Sequence, residues 1–174
     1  MPKIIENVHD RAIAAARNVL LEEGYGAMTI RRVAAALEIA PATIYNYFPS
    51  KENLAACVML EDWQRRMQSF ETGESVSAAR TVRDLFDTVQ SFSRTYASSW
   101  MQYGADDQSA SMRRQYRPAL VRQLAGYILR TLPAERAAAE PWLAPFLADL
   151  ILRFGADGAG SYDDLEPAVT KLLN

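Results

Sequence analysis

The chain has 174 residues, 49% hydrophobic and 23% charged, with a formal net charge of −2, so it lacks the basic excess that is usual for a nucleic-acid binder. No apolar stretch approaches the ~20 residues of a membrane span, and residues 1–6 lack the apolar run of a signal peptide. The single cysteine, Cys57, cannot form an internal disulfide, and we expect a cytoplasmic protein.

Helical patterns dominate the chain, and the alternation of period two that is typical of strands is absent. Apolar residues three or four apart predict an amphipathic helix from Val8 to Glu23, which ends where Gly24 can cap it. Thr29 is a favourable N-cap for a second helix that ends at Leu37. After a three-residue turn, a third helix is predicted over Pro41–Phe48.

The remaining two thirds of the chain also reads as helices. Ser50 is predicted to cap a long fourth helix that ends near residue 72, and residues 76–103 predict another. A helix over residues 107–132 contains Pro118, which should kink or interrupt it. An apolar helix over Phe146–Phe154 follows, then a glycine-rich turn and a last helix that should begin just before Pro167. The sequence therefore predicts an all-α fold.

Two short helices joined by a tight turn form a helix-turn-helix pattern, in which the second helix can enter the major groove of DNA. Ile44 and Phe48 are four residues apart and should face inward. The opposite surface of this helix carries small, amide and phenol side chains, namely Ala42, Thr43, Tyr45, Asn46 and Tyr47. Hydroxyl and amide groups can contact phosphates and base edges, and an alanine can meet a thymine methyl group.

The run from Thr29 to Leu54, and above all its segment Tyr45-Asn46-Tyr47-Phe48-Pro49-Ser50-Lys51-Glu52, resembles the DNA-binding domain of the tetracycline-repressor (TetR) family. The resemblance covers about Ile5 to Leu60. It implies a homodimer that reads a palindromic operator in double-stranded DNA and that holds an inducer in its C-terminal region. It also implies a helix-turn-helix domain over residues 1–50 and a helical-bundle domain for ligand binding and dimerisation over residues 51–174.

Carried over position by position, the resemblance gives each side chain a role. Thr29 would cap its helix against a phosphate, Ala42 and Thr43 would approach bases, and Tyr45 and Tyr47 would hold the backbone. Arg31 and Arg32 either contact phosphates or lie on a solvated helix face. The full set of expected DNA-binding residues is Thr29, Arg31, Arg32, Pro41, Ala42, Thr43, Tyr45, Asn46, Tyr47 and Lys51.

Two departures from the family pattern favour a second interpretation. Ala40 stands where the family usually has a small hydroxyl residue, and Ala42 stands where it usually has glycine. The first 54 residues are also formally neutral, with six basic and six acidic side chains. The alternative is therefore a helical module for ligand binding or protein interaction whose DNA binding is weak or vestigial.

The C-terminal region carries candidate residues for a ligand pocket and a dimer interface. Its aromatic residues are mostly expected in the core, and a subset could line a pocket for an apolar or aromatic effector: Trp63, Phe92, Tyr96, Trp100 and Tyr127. The last two helices are more apolar than a terminal hairpin can bury alone. Their candidate interface residues are Phe146, Leu147, Leu150, Ile151, Phe154, Leu165, Val169 and Leu172.

No arrangement of residues predicts catalysis or a bound cofactor. The single histidine, His9, provides neither a catalytic pair nor a metal site and is expected on the surface. The glycine-rich segment Gly155–Gly160 lacks the lysine of a phosphate-binding loop. We therefore do not expect an enzyme. The resemblance to the TetR family implies a regulator, namely a repressor that a small molecule releases from its operator.

Overall fold

The computed structural model describes residues 7–72, 77–103 and 107–174, and the side chains of 7–71, 77–97 and 116–174. These residues form helices and no β-strand, which confirms the all-α prediction. The helices are α1 (Val8–Glu23), α2 (Ile30–Ala36), α3 (Pro41–Tyr45), α4 (Lys51–Thr72), α5 (Ala78–Tyr103), α6 (Asp107–Leu129), α7 (Ala134–Ala139), α8 (Leu143–Ile151) and α9 (Tyr162–Leu173). Within this part of the chain, no helix combines the length and the apolar character needed to cross a membrane.

The described residues divide into two compact units. The first contains those within Met1–Arg65 and Tyr96–Ala105, and the second contains those within Arg66–Thr95 and Asp106–Asn174. Helices α4 and α5 each contribute residues to both units. A division of the chain into domains at residues 50 and 51 therefore stays a prediction.

The first unit is built around the apolar stripe of α1. Val8, Ala12, Ile13, Ala16 and Leu20 are buried along one side of this helix. Helices α1, α2 and α3 pack against one another and bury their apolar residues in one small core. A core of this kind is needed because helices of five and seven residues are unstable alone in water.

The ends of α1 are shaped by the turn that follows it and by a contact with α4. Gly24 has a φ of 84°, a region that residues with a side chain rarely adopt, and this lets the chain leave the helix sharply. The Arg17 guanidinium binds the Glu61 carboxylate on α4 at 2.5 Å. The ion pair joins α1 to α4 within the first unit.

The second unit has its own core, in which α6 packs on α8. Its buried side chains come from α5, α6, α8 and α9: Val82, Leu85, Phe86, Val89, Leu124, Ile128, Leu143, Leu147, Ile151, Leu165 and Val169. At the edge of this core, the Arg117 guanidinium binds the Asp149 carboxylate at 2.9 Å and the Asp157 carboxylate at 3.0 Å. The arginine thereby joins α6 to α8 through Asp149 and to the chain that follows α8 through Asp157.

Three details of the C-terminal helices differ from the sequence expectation. Helix α6 runs unbroken through Pro118, so the expected interruption is absent. Helix α9 begins at Tyr162, five residues before Pro167, because Ser161 and Asp164 form a capping box that sets its first turn. Helix α8 passes into a π-helical segment, Leu152–Ala156, so Gly155 lies in a helix rather than in the predicted turn.

Candidate nucleic-acid interface

Helix α2 is held at its first turn by Thr29. The Thr29 hydroxyl oxygen accepts a hydrogen bond from the backbone N–H of Arg32 at 3.1 Å, which confirms the predicted N-cap. Ile30, Val33 and Ala34 are buried against the first unit. Thr29, Arg31 and Arg32 consequently stand on the exposed side of the helix.

The turn between α2 and α3 contains a strained residue. Glu38 has a φ of 57°, in the left-handed region, and the Ile39 N–H donates to the Ala34 carbonyl at 3.0 Å. Ala40 is extended and offers no side-chain cap to α3, as the alanine at this position implies. The turn brings the two helices together in the hairpin that the sequence predicts.

Helix α3 is three residues shorter than predicted, because it ends at Tyr45 rather than at Phe48. The chain does not straighten there, since the Phe48 N–H still donates to the Ile44 carbonyl at 2.9 Å. The last residues form turns ahead of Pro49, which has no N–H to continue the ladder. Asn46 and Tyr47 thus lie in the turns that follow the last residue of α3.

The surface of α3 and its turn displays the side chains expected to meet DNA. Ile44 and Phe48 are buried as predicted, at 0% and 1% exposure. Tyr45 and Tyr47 keep 54% and 48% of their surface exposed. Pro41, Ala42 and Asn46 are exposed and Thr43 is half-buried, so the predicted group lies on one continuous segment.

The two arginines of α2 differ in their surroundings. The Arg32 guanidinium forms an ion pair with the Glu23 carboxylate at the end of α1. Arg31 is exposed, and no ion pair involves it within the described part of the chain. Arg31 is therefore the more available cation for a phosphate, a distinction that the sequence could not make.

Lys51 is positioned at the start of α4 by an aromatic ring. Its ammonium nitrogen lies 3.9 Å from the centre of the Tyr25 ring. The Tyr25 hydroxyl donates to Glu52 Oε1 at 3.1 Å, and the Ser50 hydroxyl accepts the Asn53 N–H at 3.1 Å. Partial burial lowers the pKa of the Lys51 ammonium below its usual value.

His9 is the residue near this surface that the sequence interpretation missed. Its ring stacks on the Phe48 ring, with centroids 5.1 Å apart, and meets the Tyr47 ring edge-on at 6.3 Å. The side chain is exposed as expected, yet it touches the end of the α3 segment. Nothing in the local spacing predicts this contact, because it joins residues 38 and 39 positions apart.

The five candidate pocket residues do not share one unit. Trp63, Tyr96 and Trp100 belong to the first unit, while Phe92 and Tyr127 belong to the second. Trp63, Tyr96 and Tyr127 are buried and Phe92 is half-buried. The side chain of Trp100 lies outside the described residues.

Tyr127 borders an open groove of about 520 Å³ in the second unit. The groove is lined mostly by polar and charged side chains: Glu71, Arg122, Gln123, Tyr127 and Arg130, with the backbone of Gly126. The Arg130 guanidinium stacks over the Tyr127 ring at 4.8 Å. This lining is more polar than the aromatic pocket that the sequence suggests.

The eight candidate interface residues divide by burial. Leu147, Ile151, Leu165 and Val169 have at most 4% exposure and belong to the core of the second unit. Phe146 keeps 46% of its surface exposed, and Leu150, Phe154 and Leu172 are half-buried. The sequence interpretation missed Trp142, which is 51% exposed and packs edge-on against Phe146 at 6.0 Å.

Comparison with known proteins places the N-terminal segment in a family. Residues 12–58 match the family model described as bacterial regulatory proteins, tetR family. Over these residues the chain is similar to the TetR-family regulatory proteins. The matched residues include α2, α3 and the start of α4, which hold most of the surface described above.

Curated relatives resemble the TetR-family segment. An uncharacterised HTH-type transcriptional regulator of Mycobacterium tuberculosis is 47% identical over 51 residues, 29% of this chain and 24% of its own length. The regulator UidR of Escherichia coli K12 is 32% identical over 60 residues, 34% of this chain and 31% of its own length. The aligned part of the chain thus spans about a quarter to a third of these relatives, which are named as regulators rather than enzymes.

Solved structures resemble the whole fold. Salmonella enterica GusR superimposes with a TM-score of 0.63 over 98% of both chains, at 20% identity. A TetR transcriptional regulator from Legionella pneumophila gives a TM-score of 0.52 over 98% of this chain and 100% of its own, at 18% identity. At these identities the likeness concerns the fold, which is a TetR-like N-terminal helix-turn-helix domain followed by helices.

Proposed function

We propose that this protein is a transcriptional repressor that binds a palindromic DNA operator as a homodimer and releases it when a small molecule binds. The observation that carries the DNA-binding part is the exposed surface of α3 and its turn, where Tyr45 and Tyr47 stand in solvent beside Asn46. Exposed apolar surface that is rimmed by polar groups can mark an interaction site on a protein. The TetR-family match over the same residues supports DNA as the partner of that surface.

Placement of charge compensates for the neutral balance of this segment. Arg31 is exposed at the start of α2, and Lys51 stands at the start of α4, where helix N–H groups also favour anions. Tyrosine hydroxyls and backbone N–H groups add contacts to phosphates that require no net charge. The neutral charge that motivated the alternative module is therefore compatible with DNA binding.

Selection of bound sequences from random duplex DNA tests this function. The wild type should enrich a palindrome whose half-sites are about one helical turn apart. Tyr47→Ala should lose that enrichment, whereas Tyr116→Ala, which alters a similarly exposed tyrosine of the second unit, should keep it. Absence of enrichment at any salt concentration would favour the alternative, a module for protein or ligand interaction.

The homodimer is proposed from the apolar surface that α8 leaves exposed. Trp142 and Phe146 form an aromatic pair with about half of each side chain in solvent. Leu150 lies one further turn along the same helix and is half-buried. A two-fold axis through such a stripe would bury each copy against the other, and a palindromic operator requires that symmetry.

The effector is proposed to bind in the helical region that follows α3. A structurally similar regulator from Saccharomonospora viridis, with a TM-score of 0.50 at 16% identity, was solved in complex with choline. Within the second unit, the Tyr127 ring borders the open groove and offers an aromatic face to such a ligand. Because α4 begins just after the α3 segment and its residue Glu71 lines the groove, a shift of α4 could change operator affinity.

Choline and a panel of small aromatic compounds test the effector proposal. A true effector should raise the melting temperature of the protein and weaken its binding to the selected operator. A compound that binds tightly and leaves operator affinity unchanged would contradict the proposed release.

A further inference from the structure

His9, the single histidine of the chain, lies beside the surface proposed to bind DNA. Its ring stacks on Phe48 at 5.1 Å, at an angle of 24° between the planes, and the Tyr47 ring stands edge-on at 6.3 Å. Phe48 is 1% exposed, so the imidazole stacks on a buried ring that is held in place by the core. A side chain of α1 is thereby held next to an exposed tyrosine of the α3 segment.

The two ring nitrogens of His9 have different surroundings. Nδ1 lies 2.8 Å from Asp10 Oδ1, so Nδ1 carries the proton and donates to the carboxylate. The side chain is 49% exposed, and Nε2 has no hydrogen-bond partner within the described part of the chain. Nε2 can therefore meet a group from outside the protein.

The protonation state of Nε2 decides which group that is. A neutral imidazole with its proton on Nδ1 presents a lone pair at Nε2, which repels a phosphate oxygen. An imidazolium presents an N–H donor and a positive charge, and both favour a phosphate. In a segment with six basic and six acidic residues, one extra charge per protomer is a large change.

We propose that His9 is a further contact to the DNA backbone, made in the imidazolium form, so that operator binding takes up protons. The inference rests on the proposed DNA binding and adds a contact from α1 to it. Asp10 is the charged group that contacts the ring from its own helix. Tyr47 is the titratable group that faces the ring from the α3 segment.

Operator affinity measured between pH 6 and pH 8 tests this contact. Imidazole changes its charge in this interval, and the chain has no second histidine to confuse the result. If binding takes up one proton per protomer, affinity should fall by up to about tenfold per pH unit for each protomer as the pH rises. The duplex is the one selected with the wild type, so a wild type that selects none overturns the proposed function itself.

Three variants separate the contact from a merely structural role. His9→Phe keeps a ring to stack on Phe48 and should bind without this pH dependence, with affinity at pH 6 roughly tenfold lower per protomer. His9→Lys should bind at pH 8 about as the wild type does at pH 6. His9→Gln tests the pH dependence again without relying on aromatic packing, and circular-dichroism melting checks the folding of each.

The salt dependence gives an independent readout. At pH 6, His9→Phe should reduce the slope of log affinity against log salt concentration by about one for each phosphate that the variant no longer binds. A wild type that binds the selected duplex with the same affinity at pH 6 and pH 8 would overturn the inference and leave the proposed function standing. The same holds if His9→Phe retains the pH dependence and the salt slope of the wild type.

Discussion

Individual side chains fix the two ends of the helix-turn-helix segment in different ways. The Thr29 hydroxyl caps α2, while Ala40 leaves α3 without a side-chain cap. At the start of α4, the Tyr25 ring and hydroxyl hold Lys51 and Glu52. Stability at this scale therefore depends on a few named hydrogen bonds and one cation–π contact.

Removal of the cap on α2 should destabilise the protein. Thr29→Ala removes the acceptor for the Arg32 N–H and should lower the free energy of unfolding by about 1 kcal/mol. Thr29→Ser keeps that oxygen and should lie close to the wild type. Urea unfolding measures both, and equal stability of the two variants would show that the cap contributes nothing.

The capping box of α9 predicts a pH effect. Hydrogen bonds from the Ser161 backbone N–H, at 2.7 Å, and from its hydroxyl, at 2.9 Å, lower the pKa of the Asp164 carboxyl. A lowered pKa in the folded state means that the stabilisation is present above the ordinary carboxyl pKa and disappears as the pH falls through the lowered value. Asp164→Asn should therefore lower the melting temperature at pH 7 and should differ less from the wild type at about pH 3.

Asp163→Asn is the matched control, because Asp163 lies in the same first turn and shares its helix dipole. Its effect on the melting temperature should be smaller than that of Asp164→Asn at pH 7. Equal effects of the two substitutions at every pH would assign the stabilisation to the dipole alone.

At the scale of helices, the periodicity of apolar residues predicts that a helix forms better than it predicts which face of that helix is buried. The bounds of α1 and the caps of α2 and α4 follow directly from Val8–Glu23, Thr29 and Ser50. Helix α8 is apolar on nearly every side, so its sequence does not predict which of its large apolar side chains faces the core. The contact with α6 makes that choice, and it buries Leu147 while Phe146 stays half exposed.

Two neighbouring truncations in α8 should therefore differ widely. Leu147→Ala opens a cavity at a side chain with 0% exposure and should cost about 2–5 kcal/mol in the free energy of unfolding. Phe146→Ala should cost roughly 1 kcal/mol or less when protein concentration is low. Denaturant titrations of both proteins decide the matter, and a larger loss for Phe146→Ala would reverse the assigned faces.

At the candidate site, the sequence could not predict the contacts between residues that lie far apart in the chain. The residue types of the α3 surface follow from the family-like segment, and the structure places Ala42, Tyr45 and Tyr47 in solvent. The pair between Arg32 and Glu23, and the stack of His9 on Phe48, require the hairpin to be folded first. The length of α3 also depends on how its end packs, beyond the effect of Pro49.

At the scale of the whole molecule, recognition of a palindrome requires two copies of the chain. If the exposed aromatic pair at the start of α8 forms the interface, Trp142→Gln with Phe146→Gln should shift the protein from dimer to monomer. Leu21→Gln with Leu60→Gln alters two similarly exposed leucines of the first unit and should leave the dimer intact. Analytical ultracentrifugation distinguishes the outcomes, and a double variant of α8 that stays dimeric would place the interface elsewhere.

Amide hydrogen exchange, with and without the selected duplex, locates the surface that DNA covers. We predict that DNA slows exchange at the start of α2, around Thr29–Arg32, and through α3 to Lys51, because these residues would meet phosphates and bases. Exchange in α8 and α9 should stay as it is in the protein without DNA. Protection confined to the second unit, with α2 and α3 unchanged, would contradict the assignment of this surface to DNA.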